Sequence, residues 1–575
     1  MRASIANLKG GIPGIGLPIQ QELRRHQTFP GVKGPVVTVV MDGVGIGKAR
    51  DPYNAVARAE TRTLDRLKRE FPYAELHASG IHVGLLPDNT GNSEVGHNAL
   101  GAGRWIEQGS LLIDRLIKEG TFTDSKVLNE MIAYCRDNVK PLHLLGLLQR
   151  HRSVHSHTDH LKVIVGYAAQ SGVKQIFAHG LIDGRDDPAG SARGTFADTE
   201  QFLASVASEH NITCRLASGG GRMTTTLDRY EADAGMIEQG WATHVRGEGR
   251  QFASGVEAIK TFLAEEPGRK EQDMPNFVIA EGGQPVGRIE DGNAVITLNY
   301  RGDRMVEICQ VFEKGKAYSF FQPEPVRQVE FAGMLVYDAD RDIPSRAIVV
   351  PPVIEGTMSQ LLAVAGIPQL AIAETQKYGH VTYFWNGNNG TKPASETWIK
   401  IPSDPVNTFE AYPAMKVAEV TARLMMELRR GAYGLARVNF PHGDMVGHTG
   451  NFQATVRGVE AVDQALSRLK PVIVDQLGGA LIVTADHGNA DQMVEMKKGK
   501  IILEADGSPK PRIGHTSNKV PFYLVLPDGL RGKVEIVKPW QAGARTIRSV
   551  AATALNLMGF ATPSHMDPSL IEFVG

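Results

Sequence analysis

Short runs of β-branched and aliphatic residues, each closed by a polar loop, recur along this chain and constrain its fold more than any other feature. Val36 to Val40 is the first, and the stretch from Ala55 to Phe71 behind it carries Leu64, Leu67 and Phe71 at helical spacing. Further runs span Gln175 to Ala178, Cys214 to Ala217, Ala294 to Asn299, Leu435 to Phe440 and Ala480 to Thr484. Strands this short and this apolar suit a parallel sheet buried on both faces, so the pattern predicts an α/β fold with helices covering the sheet. At 575 residues, 42% of them hydrophobic, the chain has the length of two or three domains. The runs fall far below the roughly 20 residues that carry a helix across a bilayer, so a soluble protein is expected.

The polar residues just beyond these runs are chemically informative, because open α/β sheets place their ligand crevices beyond the carboxyl ends of the strands. Asp42 comes directly after the first run, Asp444 and His448 after the run ending at Phe440, Asp486 and His487 after Thr484, and His515 lies in a later loop. Carboxylate oxygens and imidazole nitrogens together suit Mn²⁺, Zn²⁺ or Co²⁺. Two such ions can hold the attacking and leaving oxygens of a phosphoryl displacement and lower the pKa of a hydroxyl nucleophile. Ser93 is the candidate nucleophile, at the end of a Gly- and Asn-rich turn where a helix is expected to begin. Free N–H groups and the helix dipole there favour an anionic oxygen or a phosphate. Taken alone, a serine in that place is an ordinary helix cap; the Asp and His residues are what raise its standing.

A second set in the middle of the chain is rich in arginine. It comprises Asp183-Gly184-Arg185-Asp186, Gly219-Gly220-Gly221-Arg222, Arg301 and Arg304, again after apolar runs. Guanidinium groups hold carboxylate and phosphate through paired hydrogen bonds and stay charged. The contrast between the two sets predicts one domain inserted in another, with the return near Pro351-Pro352. Two polar stretches, Glu265 to Pro275 and Lys497 to Pro511, read as surface excursions.

Balanced charge, 62 basic against 63 acidic residues, leaves no global field for nucleic acid or an anionic membrane. The three cysteines, Cys135, Cys214 and Cys309, offer neither a disulfide framework nor a CxxC metal site, which points to a reducing compartment. Met1 to Lys33 lacks the apolar core of a secretory signal and reads as an extension.

In order along the chain, Met41-Asp42-Gly43, Gly91-Asn92-Ser93-Glu94-Val95-Gly96-His97, Val154-His155-Ser156-His157, Asp183-Gly184-Arg185-Asp186, Asn299-Tyr300-Arg301-Gly302-Asp303-Arg304, Ala373-Glu374-Thr375-Gln376-Lys377-Tyr378, Asp444-Met445-Val446-Gly447-His448 and Thr484-Ala485-Asp486-His487-Gly488 resemble the motifs of the cofactor-independent phosphoglycerate mutases. The resemblance runs from about Pro35 almost to the C-terminus. It implies an alkaline-phosphatase-like three-layer phosphatase domain built from residues 34–107 and 351–575, an inserted α/β transferase domain at 108–350, and an N-terminal extension at 1–33.

The same resemblance implies that 3-phosphoglycerate and 2-phosphoglycerate are interconverted through a phosphoserine on Ser93, without 2,3-bisphosphoglycerate. Two divalent ions are implied, Mn²⁺ first, with Co²⁺ and Mg²⁺ as alternatives. Asp444, His448 and His515 match the ligands of one, and Asp42, Ser93, Asp486 and His487 those of the other. His155, Arg185, Asp186, Arg222, Arg229, Arg301, Arg304 and Lys377 match substrate-binding residues, and Asp186 is the candidate proton handler for the glycerate hydroxyl. A cytoplasmic monomer acting on a small molecule, with neither nucleic acid nor membrane as partner, completes the expectation. Two rivals remain at this point: another phosphomutase or phosphomonoesterase of the same superfamily, and a metal-binding scaffold without turnover.

Overall fold

The computed structural model describes residues 19–87, 89–150, 155–184, 187, 190–228, 233–300, 304–337, 342–350, 353–404, 409–497, 500–503, 507–512, 514–538 and 544–574. The chain divides into two compact units, one comprising Met1–Gln108 with Pro352–Gly575 and the other Gly109–Pro351. Among the described residues no helix is long and apolar enough to cross a membrane.

The first unit is organised by a seven-stranded sheet in the spatial order Glu396–Ile401, Gln369–Glu374, Leu435–Phe440, Val36–Met41, Ala480–Thr484, Val520–Val525 and Tyr73–Leu76. The first five are mutually parallel, and Val520–Val525 runs antiparallel to both of its neighbours. Every residue of Val36–Met41, Leu435–Phe440 and Ala480–Thr484 is buried. At roughly 1.5–3 kcal/mol for each large aliphatic side chain removed from water, burial dominates what holds these strands in place. Two groups of helices cover the sheet. Arg62–Glu70, Val417–Arg429 and Phe452–Lys470 pack as one group, and Ser93–Ala102, Met358–Val364 and Ser549–Leu557 as the other.

Register sets the site. Met41 pairs with Phe440 and Val40 with Thr484, so three adjacent strands end level and Asp42, Asp444 and Asp486 emerge from one edge. Because Val520–Val525 is antiparallel, it begins at the edge where the others end, and His515 just before it arrives there too.

The Ala55 to Phe71 stretch is not one helix. It forms Ala55–Arg58 and Arg62–Glu70, with Ala59 extended at ψ 144° between them. The cause lies 400 residues away in sequence: Asp463 accepts from Thr63 N at 3.0 Å and Leu64 N at 2.8 Å, starting a new helix on its carboxylate.

The second unit is built on a sheet ordered Glu330–Gly333, Ala294–Thr297, Leu142–Leu148, Gln175–Ile182, Thr213–Gly221, Phe277–Glu281 and Arg250–Phe252, with Gln284–Pro285 paired to Phe277–Glu281. The first five strands are again parallel. Ile182 and Gly221 are register partners, so Asp183 and Arg222 leave the sheet side by side.

Glu265 to Pro275 is only partly the surface excursion its composition suggests. Met274 is wholly buried, and the Glu271 carboxylate accepts from Gly190 N and Ala192 N, both at 3.1 Å, at the start of the Ala192–His210 helix. Gly184, at φ +55°, could carry no side chain here, since a Cβ would strike the Gln272 backbone. The segment therefore braces the turn immediately after Asp183.

Candidate active site

Asn92 caps the Ser93–Ala102 helix by accepting from Val95 N at 2.9 Å, which leaves Ser93 as its first residue and frees its hydroxyl for other partners. That hydroxyl is buried among charged groups. It donates to Asp42 Oδ1 at 3.1 Å, lies 3.0 Å from His487 Nε2, and accepts from Lys377 Nζ at 2.6 Å. Lys377 also reaches Asp444 Oδ2 at 2.8 Å and stands 3.4 Å from Asp42 Oδ1. The resemblance assigns Lys377 to substrate; in the structure its ammonium touches the serine itself.

Asp444 Oδ1 lies 3.1 Å from both His448 Nε2 and His515 Nε2, and those two nitrogens are 3.2 Å apart. His487 Nε2 is 3.4 Å from Asp42 Oδ1 and 3.6 Å from Asp486 Oδ2. Such proximity demands a close backbone approach, which Gly43 provides: at φ +72° a Cβ there would sit 2.6 Å from Asp444 N.

Concentrated negative charge shapes the electrostatics. Burial alone would push the Asp444 carboxyl up, but His448 and Lys377 beside it hold it well below the usual range. Burial likewise opposes the charge of Asp486, and His487, His97 and Lys377 outweigh it. Burial disfavours a charged His487, yet Asp486, Asp42 and Asp444 together raise it to about 10. His515, facing His487 and His448, is pushed down to about 4, chiefly by burial.

The donor set fits divalent metal ions. Asp444, His448 and His515 present ligand atoms within 4.8 Å of one another, as do Asp42, Asp444 and His487, and Asp42, His97 and Asp486. Asp486 Oδ2 is buried with His97 Nδ1 at 3.3 Å and no hydrogen bond, a carboxylate oxygen left for a cation. Oxygen and imidazole nitrogen together match the preference of Mn²⁺, Co²⁺ and Zn²⁺.

Two residues to which sequence patterns assign no role belong to this centre. His97, four residues after Ser93 on the same helix face, has Nδ1 2.7 Å from the Ser93 carbonyl. Asn439 divides its amide between Asp42 Oδ2 at 2.7 Å and His97 Nε2 at 3.1 Å. The one signal for Asn439 in the sequence is a polar residue, like Arg437 two places before it, inside a strand that is otherwise apolar, since buried polar groups require partners.

In the second unit, Arg222 is buried and donates to Asp183 Oδ1 at 2.5 Å and to His155 Nε2 at 2.9 Å. Arg304 Nη1 donates to the Leu227 carbonyl at 2.7 Å. His157, near His155, caps the Thr158–Gln170 helix. Arg185, Asp186, Arg229 and Arg301 lie outside the described residues.

A buried serine at a helix start, set against a cluster of buried metal-type donors at the carboxyl edge of a parallel sheet, is the arrangement of a metalloenzyme site. Consistent with that class, residues 34–562 match the family model of the Metalloenzyme superfamily. The probable 2,3-bisphosphoglycerate-independent phosphoglycerate mutase of Leptospira interrogans is 42% identical over 557 residues, covering 96% of this chain and 99% of that one. The 2,3-bisphosphoglycerate-independent phosphoglycerate mutase of Trypanosoma brucei brucei is 42% identical over 556 residues with the same coverage. Among solved structures, Leishmania mexicana phosphoglycerate mutase, crystallised at low cobalt concentration, aligns with TM-score 0.65 at 40% identity over 96% of this chain and 100% of that one. The chain belongs to the 2,3-bisphosphoglycerate-independent phosphoglycerate mutases.

Proposed function

We propose that this chain interconverts 3-phosphoglycerate and 2-phosphoglycerate through a phosphoserine on Ser93, with no 2,3-bisphosphoglycerate taking part. The observation that carries the reading is the Ser93 hydroxyl, which donates its proton to Asp42 while accepting from Lys377. A hydroxyl polarised in this way is prepared to become an alkoxide. Its Oγ attacks phosphorus, the bond from phosphorus to the 3-oxygen breaks, and the same phosphoryl group is returned to the 2-oxygen. Asp186 is the proposed proton handler, giving a proton to the departing oxygen and taking one from the 2-hydroxyl.

Asp444, His448 and His515 would hold one divalent ion and Asp42, Asp486, His487 and Ser93 the other, Mn²⁺ in our reading. When bound, these ions supply positive charge that lowers the serine pKa and offsets charge on the phosphoryl oxygens. The glycerate would be held by His155, Arg185, Asp186, Arg222, Arg229, Arg301 and Arg304. The 34–107 and 351–575 segments thereby act as phosphatase domain and the insert at 108–350 as transferase domain. Three unpaired, buried cysteines fit a cytoplasmic setting.

The test is incubation of the purified chain with Mn²⁺ and 3-phosphoglycerate, without 2,3-bisphosphoglycerate. Phosphorus NMR is expected to show 2-phosphoglycerate, and an acid quench to trap phosphate on the peptide containing Ser93. Wild-type turnover by a metal-loaded Ser93→Ala enzyme would falsify this mechanism.

A further inference from the structure

The second unit contains a continuous hydrogen-bonded chain of buried side chains that the phosphoryl transfer at Ser93 does not use. Asn293 Oδ1 lies 2.9 Å from His143 Nε2, His143 Nδ1 lies 3.0 Å from His179 Nε2, and His179 Nδ1 lies 2.6 Å from Ser218 Oγ. Ser218 Oγ continues to His244 Nδ1 at 2.8 Å, and His244 Nε2 to Thr226 Oγ1 at 2.8 Å. Thr225 Oγ1 closes the series 3.3 Å from Thr226 Oγ1. None of these residues is more than 5% exposed.

The direction of every bond is set from one end. Asn293 Oδ1 accepts from the backbone N–H of Glu290 at 2.8 Å, which orients the amide and makes His143 Nε2 a donor. His143 Nδ1 is then an acceptor, so His179 Nε2 donates to it and His179 Nδ1 accepts from Ser218. Ser218 Oγ accepts from His244 Nδ1, and His244 Nε2 accepts from the Thr226 hydroxyl. With each imidazole neutral, as its burial favours, one nitrogen donates and the other accepts, which assigns all three tautomers.

The chain ends on a residue in an unusual conformation. Thr226 has φ +68°, which a β-branched residue rarely adopts. Its N–H donates to Met236 O at 2.9 Å and its hydroxyl is held by His244. The next residue, Leu227, offers the carbonyl on which the Arg304 guanidinium rests.

We propose that the Asn293–His143–His179–Ser218–His244–Thr226 chain is a positioning device that pins Thr226 in its left-handed conformation and so aims the Leu227 carbonyl at Arg304, a substrate-binding residue. The inference rests on the proposed mutase activity for the role of Arg304. The six side chains act through the backbone and touch no substrate.

The full-length, Mn²⁺-loaded enzyme tests this in two arms. With ¹⁵N-labelled histidine at neutral pH, His143 and His179 are expected as neutral Nε2–H tautomers and His244 as the neutral Nδ1–H tautomer; a protonated or reversed member overturns the chain. In kinetics, Thr226→Val, which replaces the hydroxyl with a methyl group, raises KM for 3-phosphoglycerate about tenfold with kcat within about twofold, and Thr226→Ser, which keeps the hydroxyl, retains wild-type KM. An unchanged KM in Thr226→Val, with a raised KM in Arg304→Lys, overturns the positioning role. An unchanged KM in Arg304→Lys overturns the substrate role of Arg304 instead, and the tautomer arm still decides whether the chain exists.

Discussion

Replacing Lys377 with methionine isolates the electrostatic contribution made to Ser93. The ammonium sits 2.6 Å from Ser93 Oγ. A full negative charge there would be attracted by roughly 6 kcal/mol at an effective dielectric near 20. Asp444 at 2.8 Å and Asp42 at 3.4 Å already engage the same ammonium, which reduces what the serine gains as its charge develops. About half of that attraction, roughly 3 kcal/mol, matches the loss of one preorganised donor and corresponds to roughly a hundredfold in rate. Rapid-quench measurement of phosphoserine formation should therefore slow by that factor in Lys377→Met. Titration with Mn²⁺ should show affinity equal to or tighter than wild type, because Asp444 Oδ2 is released from the ammonium. A phosphorylation rate within about threefold of wild type at full metal occupancy would refute the reasoning.

Acid should weaken the second unit, because folded His143 and His244 stand at about 4 and about 3, from an ordinary 6.5, mainly through burial. The folded state then binds fewer protons than the unfolded one, so stability is full above about pH 6.5 and falls as pH drops toward 4. His143 alone accounts for roughly 3 kcal/mol, and amide protection factors in Leu142–Leu148, corrected for the intrinsic pH dependence of exchange, that stay constant over that window would contradict the assignment. Asp463→Ala removes the carboxylate from Thr63 N and Leu64 N and should cost about 1–2 kcal/mol in urea unfolding, with an unchanged midpoint counting against the distant cap. Arg437 and Glu396 form a fully buried pair at 2.9 Å, with Arg437 also donating to Val381 O and Asn386 Oδ1. Arg437→Met should destabilise by roughly 3–5 kcal/mol and Arg437→Met/Glu396→Leu recover part of it, since a lone buried carboxylate costs more than none; equal losses in the single and double variants would show that the pair is not what matters.

Much of the sheet architecture was legible because strands buried on both faces leave almost unbroken apolar runs. Val36–Met41 and Ala480–Thr484 coincide with such runs to within a residue, and Leu435–Phe440 does so around two buried polar residues, Arg437 and Asn439. The elements that misled were those whose termini depend on distant partners. Ala55 to Phe71 has continuous helical spacing, and nothing local marks the break that Asp463 imposes. Glu265 to Pro275 looks like solvent-facing loop because Glu271 is charged, yet its carboxylate accepts from Ala192 N, the first residue of another helix, and from Gly190 N in the turn leading into it.

For the site, the sequence alone placed Asp42, Asp444, Asp486 and His487 just beyond buried runs and showed Ser93 at the foot of a helix. Which of these meet is a matter of register and strand direction. Level strand ends put Asp42, Asp444 and Asp486 at one edge, and the reversal of Val520–Val525 brings His515 back to it. Lys377 against Ser93, Asn439 between Asp42 and His97, and the buried histidine chain behind Arg304 are decided only in the folded molecule. Hydrophobic period is a property of neighbours in the chain, whereas the partner of a buried polar group is chosen by whatever the tertiary packing leaves within about 3 Å of it.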